Sequence, residues 1–153
     1  ANIDHREHWG IEIVDEYVDE GLTLDQHLRV IESRGRPRPR WVGVDPAGGQ
    51  RSSQTGISDI QYLRRRGYRV FSKRYGLRAG IDIVQRRLDR GTLKIDPTCT
   101  RLIEALSTYH YPEDDPQSES PVKDGPDHAC DALRYLVVAL EQASAPVMVA
   151  SYF

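Results

Sequence analysis

The stretch WVGVD at residues 41–45, followed at once by PAGG, constrains this chain more than any other. A short run that is apolar without alternation suits a strand covered on both faces, as the strands of parallel sheets are. Parallel strands need long crossovers, usually helices, and the flanking sequence supplies them. Upstream, Leu24, Leu28 and Ile31 of LDQHLRVIES recur at helical spacing behind Thr23, which predicts a helix with Thr23 as its cap. The linker RGRPRPR is too rich in Pro and Gly for helix. After the small-residue loop PAGGQRSSQTG a helix is predicted over residues 56–66. YRVFSK then reads as a strand, AGIDIVQRRLDRG as a helix closed by Gly91, TLKI as a strand and CTRLIEALSTY as a helix. Near the start, GIEIVDEYV alternates as a half-buried strand does. The last helix is predicted from Asp127 to Gln142, where Leu133, Leu136, Val137 and Leu140 form one apolar stripe. Strands alternating with helices place the chain in the α/β class with a largely parallel sheet.

A length of 153 residues fits a single domain over 1–153, with 143–153 read as a C-terminal tail. No apolar run is long enough to span a bilayer, and the first residues lack the layout of a secretory signal. Cys99 and Cys130 have no metal-type pairing and read as free thiols, in keeping with a cytoplasmic location. The net charge of -2 argues against indiscriminate nucleic-acid binding, yet the charges are segregated. Residues 29–101 hold eighteen of the 21 Lys and Arg residues but six of the 23 acids. That basic middle fits a phosphate-facing surface, or a plain solvated one.

Acidic residues fall where chemistry is commonly built. Asp45 ends the apolar strand, and ligands of open α/β sheets gather beyond the carboxyl ends of strands. A carboxylate held there suits a hard cation such as Mg2+ or Mn2+; taken alone, it also suits a cap for the turn that follows. On the last helix, His128 and Asp131 are three apart and share a face, and Arg134 continues that stripe. Asp131 is either a metal ligand, with His128 as a second ligand or proton-transfer group, or one half of an ion pair with Arg134 or another basic side chain.

Taken in order, WVGVDPAG, LRRRGY, the basic GI helix, LIEAL with its following Tyr, and the closing PDHACDALRY resemble the nuclease domain of the large terminase subunit of tailed bacteriophages. The resemblance runs from about Ile11 to Leu140 and implies a ribonuclease-H-like mixed sheet flanked by helices. It implies an endonuclease that cuts concatemeric viral DNA in the host bacterial cytoplasm. Asp45 then matches the family's second catalytic acid, Asp131 the third and His128 the histidine beside it, all three expected at a divalent-metal site with two ions when complete. The family's first catalytic Asp lies further upstream than the 44 residues that precede Asp45 here, so the first strand is expected to be lacking. IEIVDEYVDEG corresponds to the third strand, with Asp15 and Glu16 structural. Lys73, Arg74 and Arg78 of SKRYGLRAG are the expected contacts to the DNA backbone. Expected partners are double-stranded DNA and, in the intact motor, the packaging ATPase domain, the small terminase subunit and the portal.

Other readings differ in class. A junction resolvase would share the fold but not the long central block, and a catalytically impaired packaging or docking module would keep the fold without the chemistry. A small-ligand-binding α/β domain would leave the His128/Asp131 pair unexplained.

Overall fold

The computed structural model describes residues 10–49, 57–109, 113–115, 117, 121, 127–142 and 150–151. Strand β1 (Ile11–Ile13) buries Ile11 and Ile13 and turns Glu12 outward. It pairs in parallel with β4 (Leu93–Ile95), Ile11 facing Leu93 and Ile13 facing Ile95. A second sheet has the order β3-β2-β5, with β2 (Val42–Gly43) between β3 (Val70–Phe71) and β5 (Ala150–Ser151). Every pairing among the described residues is parallel.

The helices follow their local signals closely. In α1 (Leu24–Ser33) the Thr23 side chain and Gln26 cap each other's backbone N–H groups, so the start is fixed reciprocally. Ser58 and Gln61 do the same for α2 (Asp59–Arg65), which is why that helix begins later than its apolar pattern alone predicts. Helix α3 (Leu77–Asp89) begins two residues before AGIDIV. Gly67 and Gly91, at φ 82 and 67, close α2 and α3. In each case the glycine N–H and the next N–H turn back to the last helical carbonyls, so a side chain at that φ would be strained. Helices α4 (Thr100–Thr108) and α5 (Asp127–Gln142) complete the set.

The β1 ladder stops where the alternating pattern continues. Beyond Ile13, Val14 and Val18 are exposed, because Asp15 and Glu16 are drawn to other elements. Asp15 receives hydrogen bonds from Arg34 and Arg36, and Glu16 accepts from the Arg101 and Leu102 N–H groups at the start of α4. The tail assigned from sequence contributes β5, at Ala150–Ser151, to the second sheet.

Two clusters form the interior. Ile11, Ile13, Ile83, Val84, Leu93 and Leu102 pack with Leu133, Leu136, Val137 and Leu140, joining the first sheet to α3, α4 and α5. Leu28, Val42, Val44, Ile60, Leu63 and Tyr68 join α1 and α2 to β2. No helix among the described residues is long and apolar enough to cross a membrane.

Candidate active site

The second sheet delivers Asp45 to its rim. Val42 N–H donates to Arg69 O at 2.7 Å and Val44 N–H to Phe71 O at 3.0 Å, so the backbone is tied to β3 up to the residue before Asp45. The chain then enters a single 3-10 turn over Pro46–Gly49. Asp45 Oδ1 accepts from Ala47 N–H at 2.9 Å, so this carboxylate does cap the turn that follows it.

Helix α5 crosses β2 at Gly43. A side chain there would meet the Trp41 ring at 3.5 Å and the backbone of Tyr135 and Leu136 at 3.7 Å. The bare glycine lets α5 press onto the strand and places Tyr135 on the side of the helix that meets β2, near enough to Asp45 for its charge to act on the phenol. Burial raises the Tyr135 pKa above its ordinary value; the Arg134 guanidinium opposes this and Asp45 adds to it.

Arg134 ties the other acid to Tyr135. It is 7% exposed, donates from Nη2 to Asp131 Oδ1 at 3.0 Å and lies 4.5 Å from the centre of the Tyr135 ring. Burial works against its charge, but Asp131 and Tyr135 outweigh that and raise its pKa above the usual arginine value. Both plain readings of the acids are therefore present: a turn cap at Asp45 and an ion pair at Asp131. The structure joins Asp131, Arg134 and Tyr135 through the ion pair and the ring contact, on the helix that crosses β2 just before Asp45. The polar stripe of α5 is not simply turned outward, since Arg134 is tucked between α5 and α3.

His128 stays exposed on the first turn of α5, outside this cluster. Lys73 and Arg74 are exposed and Arg78 half-buried on the loop and helix start after β3. Because β3 lies parallel beside β2, that loop leaves the sheet at the same end as Asp45. The linker arginines are largely used within the protein: Arg34 and Arg36 hold Asp15, while Arg38 lies over the Tyr68 ring and donates to Arg66 O. Arg66 is held by Asp25 and Glu32.

The terminase RNaseH-like domain family matches residues 3–140. The chain belongs to that family. This terminase domain is of the nuclease type, with a ribonuclease-H-like α/β fold, and its setting is nucleic acid and a packaging motor. The comparisons with curated proteins and with solved structures gave no match.

Sequence reasoning carried the Arg134–Asp131 pairing only as the alternative to its preferred reading of Asp131 as a metal ligand. It missed Tyr135, which follows directly in the same motif but meets a strand, and Gly43, whose role exists only once the helix lies across it.

Proposed function

We propose that this terminase domain is a divalent-metal-dependent DNA endonuclease that cuts concatemeric phage DNA during genome packaging. What supports this reading is a terminase RNaseH-like domain in which Asp45 follows β2 while Asp131 lies on α5, the helix that crosses β2 at Gly43. The donor set suits Mg2+ or Mn2+, since Mg2+ is commonly held by one or two carboxylates and otherwise keeps water or substrate phosphate as ligands. Among the described residues no group of three or more His, Cys, Asp or Glu is placed to hold a metal. Asp45 and Asp131 would be the protein ligands, with His128 joining from the first turn of α5. A bound cation would polarise a phosphoryl oxygen and ease deprotonation of water.

The chain's own residues supply the rest. Asp131 keeps Oδ2 without a hydrogen bond among the described residues while Arg134 holds Oδ1. The exposed imidazole of His128 has access to solvent and would serve as a second ligand or proton-transfer group. Lys73 and Arg74, with Arg78 behind them, would hold the DNA backbone without reading sequence. In the intact motor the partners are the packaging ATPase, the small terminase subunit and the portal.

One observation favours a second reading, a catalytically impaired packaging or docking module: Asp131 is already neutralised by Arg134. Nicking of supercoiled plasmid in Mn2+ decides between them. The expected result is nicking by the wild type that falls to background in Asp45→Asn and in Asp131→Asn. Nicking that survives both substitutions would exclude these acids from catalysis. Plasmid binding without nicking by the wild type would establish the docking module.

A further inference from the structure

Helix α3 carries a glycine in its second turn, where alanine is the better helix former. Gly80 is buried, and a methyl group placed on it would lie 3.0 Å from both Cγ and Cδ of Arg134 and 3.5 Å from Val138 Cγ2. Those are mid-stem atoms of a buried side chain, so the contact cannot be relieved by swinging a free end. The absent side chain is the notch in which the Arg134 stem sits. One helical repeat further along the same seam, Arg87 of α3 pairs with Glu141 of α5, so the two helices run side by side in the same direction.

From this notch the guanidinium reaches both Asp131 and Tyr135, through its hydrogen bond to Asp131 Oδ1 and its stacking on the Tyr135 ring. Its Nε is buried and takes no hydrogen-bond partner among the described residues. Arg is suited to such a place because its planar fork binds a carboxylate directionally and stacks on an aromatic face, which a Lys ammonium does not.

We propose that Arg134 is a positioning residue for the acid on α5: seated in the notch left by Gly80 and against the Tyr135 ring, it fixes the orientation of the Asp131 carboxylate. Its catalytic meaning rests on the metal-dependent nuclease reading above. Partners that orient metal-binding carboxylates are commonly required for full metal affinity. Arg134 also has an opposite tendency, because a cation beside a metal site repels the metal. A counter-ion with no positioning role would thus give tighter metal binding once displaced. Gly80→Ala and Arg134→Lys separate the two effects, since both keep the total charge and change the geometry.

The test combines Mn2+ titration by calorimetry with the Arg134 Nε–H signal in 1H–15N spectra, on variants shown to be folded by thermal unfolding. Positioning predicts that Gly80→Ala and Arg134→Lys weaken Mn2+ binding roughly tenfold or more. It also predicts that the Nε–H signal shifts in Gly80→Ala and in Asp131→Asn. Mn2+ affinity that is unchanged or tighter in both geometric variants overturns the positioning role and leaves the nuclease reading standing. If the wild type binds no Mn2+, the metal reading fails, and the signal decides the inference alone: a shift in Asp131→Asn sustains it, and an unmoved signal overturns it.

Discussion

Glu16 supplies the cap that α4 lacks at its own N-terminus. The residue in the cap position, Cys99, makes no side-chain cap hydrogen bond. Instead Glu16 Oε1 and Oε2 accept from Arg101 N–H at 2.9 Å and Leu102 N–H at 2.8 Å, and the carboxylate also faces the positive end of the helix. Glu16→Ala should destabilise the domain by about 1 kcal/mol, the usual loss when a capping oxygen is removed. Glu16→Gln, which keeps one acceptor, should fall between them; urea unfolding measures both. Sequence reading took Glu16 as a structural strand residue; it lies beyond β1, and its partners had no local sign because the contact spans 85 residues. The same division holds at the site. The Asp131–Arg134 pair was legible from helical spacing as one of two alternatives, whereas the approach of Tyr135 to β2 and the seating of Arg134 on Gly80 cross between elements.

At the scale of elements, α1 and α2 are joined by a polar clasp above their shared apolar cluster. Tyr62 donates to Asp25 at 2.6 Å, Arg66 reaches both Asp25 and Glu32, and the Tyr68 hydroxyl donates to Glu32 at 2.8 Å. The Tyr62 hydrogen bond does most to lower the Asp25 pKa below its ordinary value; partial burial opposes it, and Arg29 and Arg66 act with it. A carboxylate lowered in the folded state stabilises fully above its unfolded pKa, and that stability is lost as pH falls through the folded value. Asp96, lowered by its hydrogen bonds from Thr98, acts in the same direction. Stability should therefore drop on acidification below about pH 4, and Asp25→Asn should flatten part of that drop; chemical unfolding across acidic pH measures it. Helices were the more legible elements. Thr23 with Gln26 marks a start, and the stripe through Leu133 and Leu140 marks α5 from Asp127 to Gln142. Strands were less so, because nothing in GIEIVDEYV shows that its two acids leave the ladder for partners elsewhere.

For the whole molecule, the basic middle of the chain overstates the charge offered to a polyanion. Arg34, Arg36, Arg66 and Arg87 are all engaged with acids of the same chain. Among the described residues, Lys73 and Arg74 are exposed on the loop that leaves the sheet at the Asp45 end. If these contact phosphates, Lys73→Ala and Arg74→Ala should each reduce the salt dependence of DNA affinity by about 0.9 in the log–log slope. Arg64→Ala, on the exposed end of α2, should leave that slope unchanged; binding titrations over a salt series test all three. Composition alone cannot sort the cations in this way, since pairing is a property of the folded surface. The order of assembly follows from the second sheet. The strand leading to Asp45 is flanked on one side by β3, which follows closely in sequence, and on the other by β5, which comes after all five helices. Contacts so distant along the chain close a large loop and form slowly. Asp45 is thus among the first of the site's residues to leave the ribosome, while the sheet that holds it gains its last neighbour only after α5 has been made.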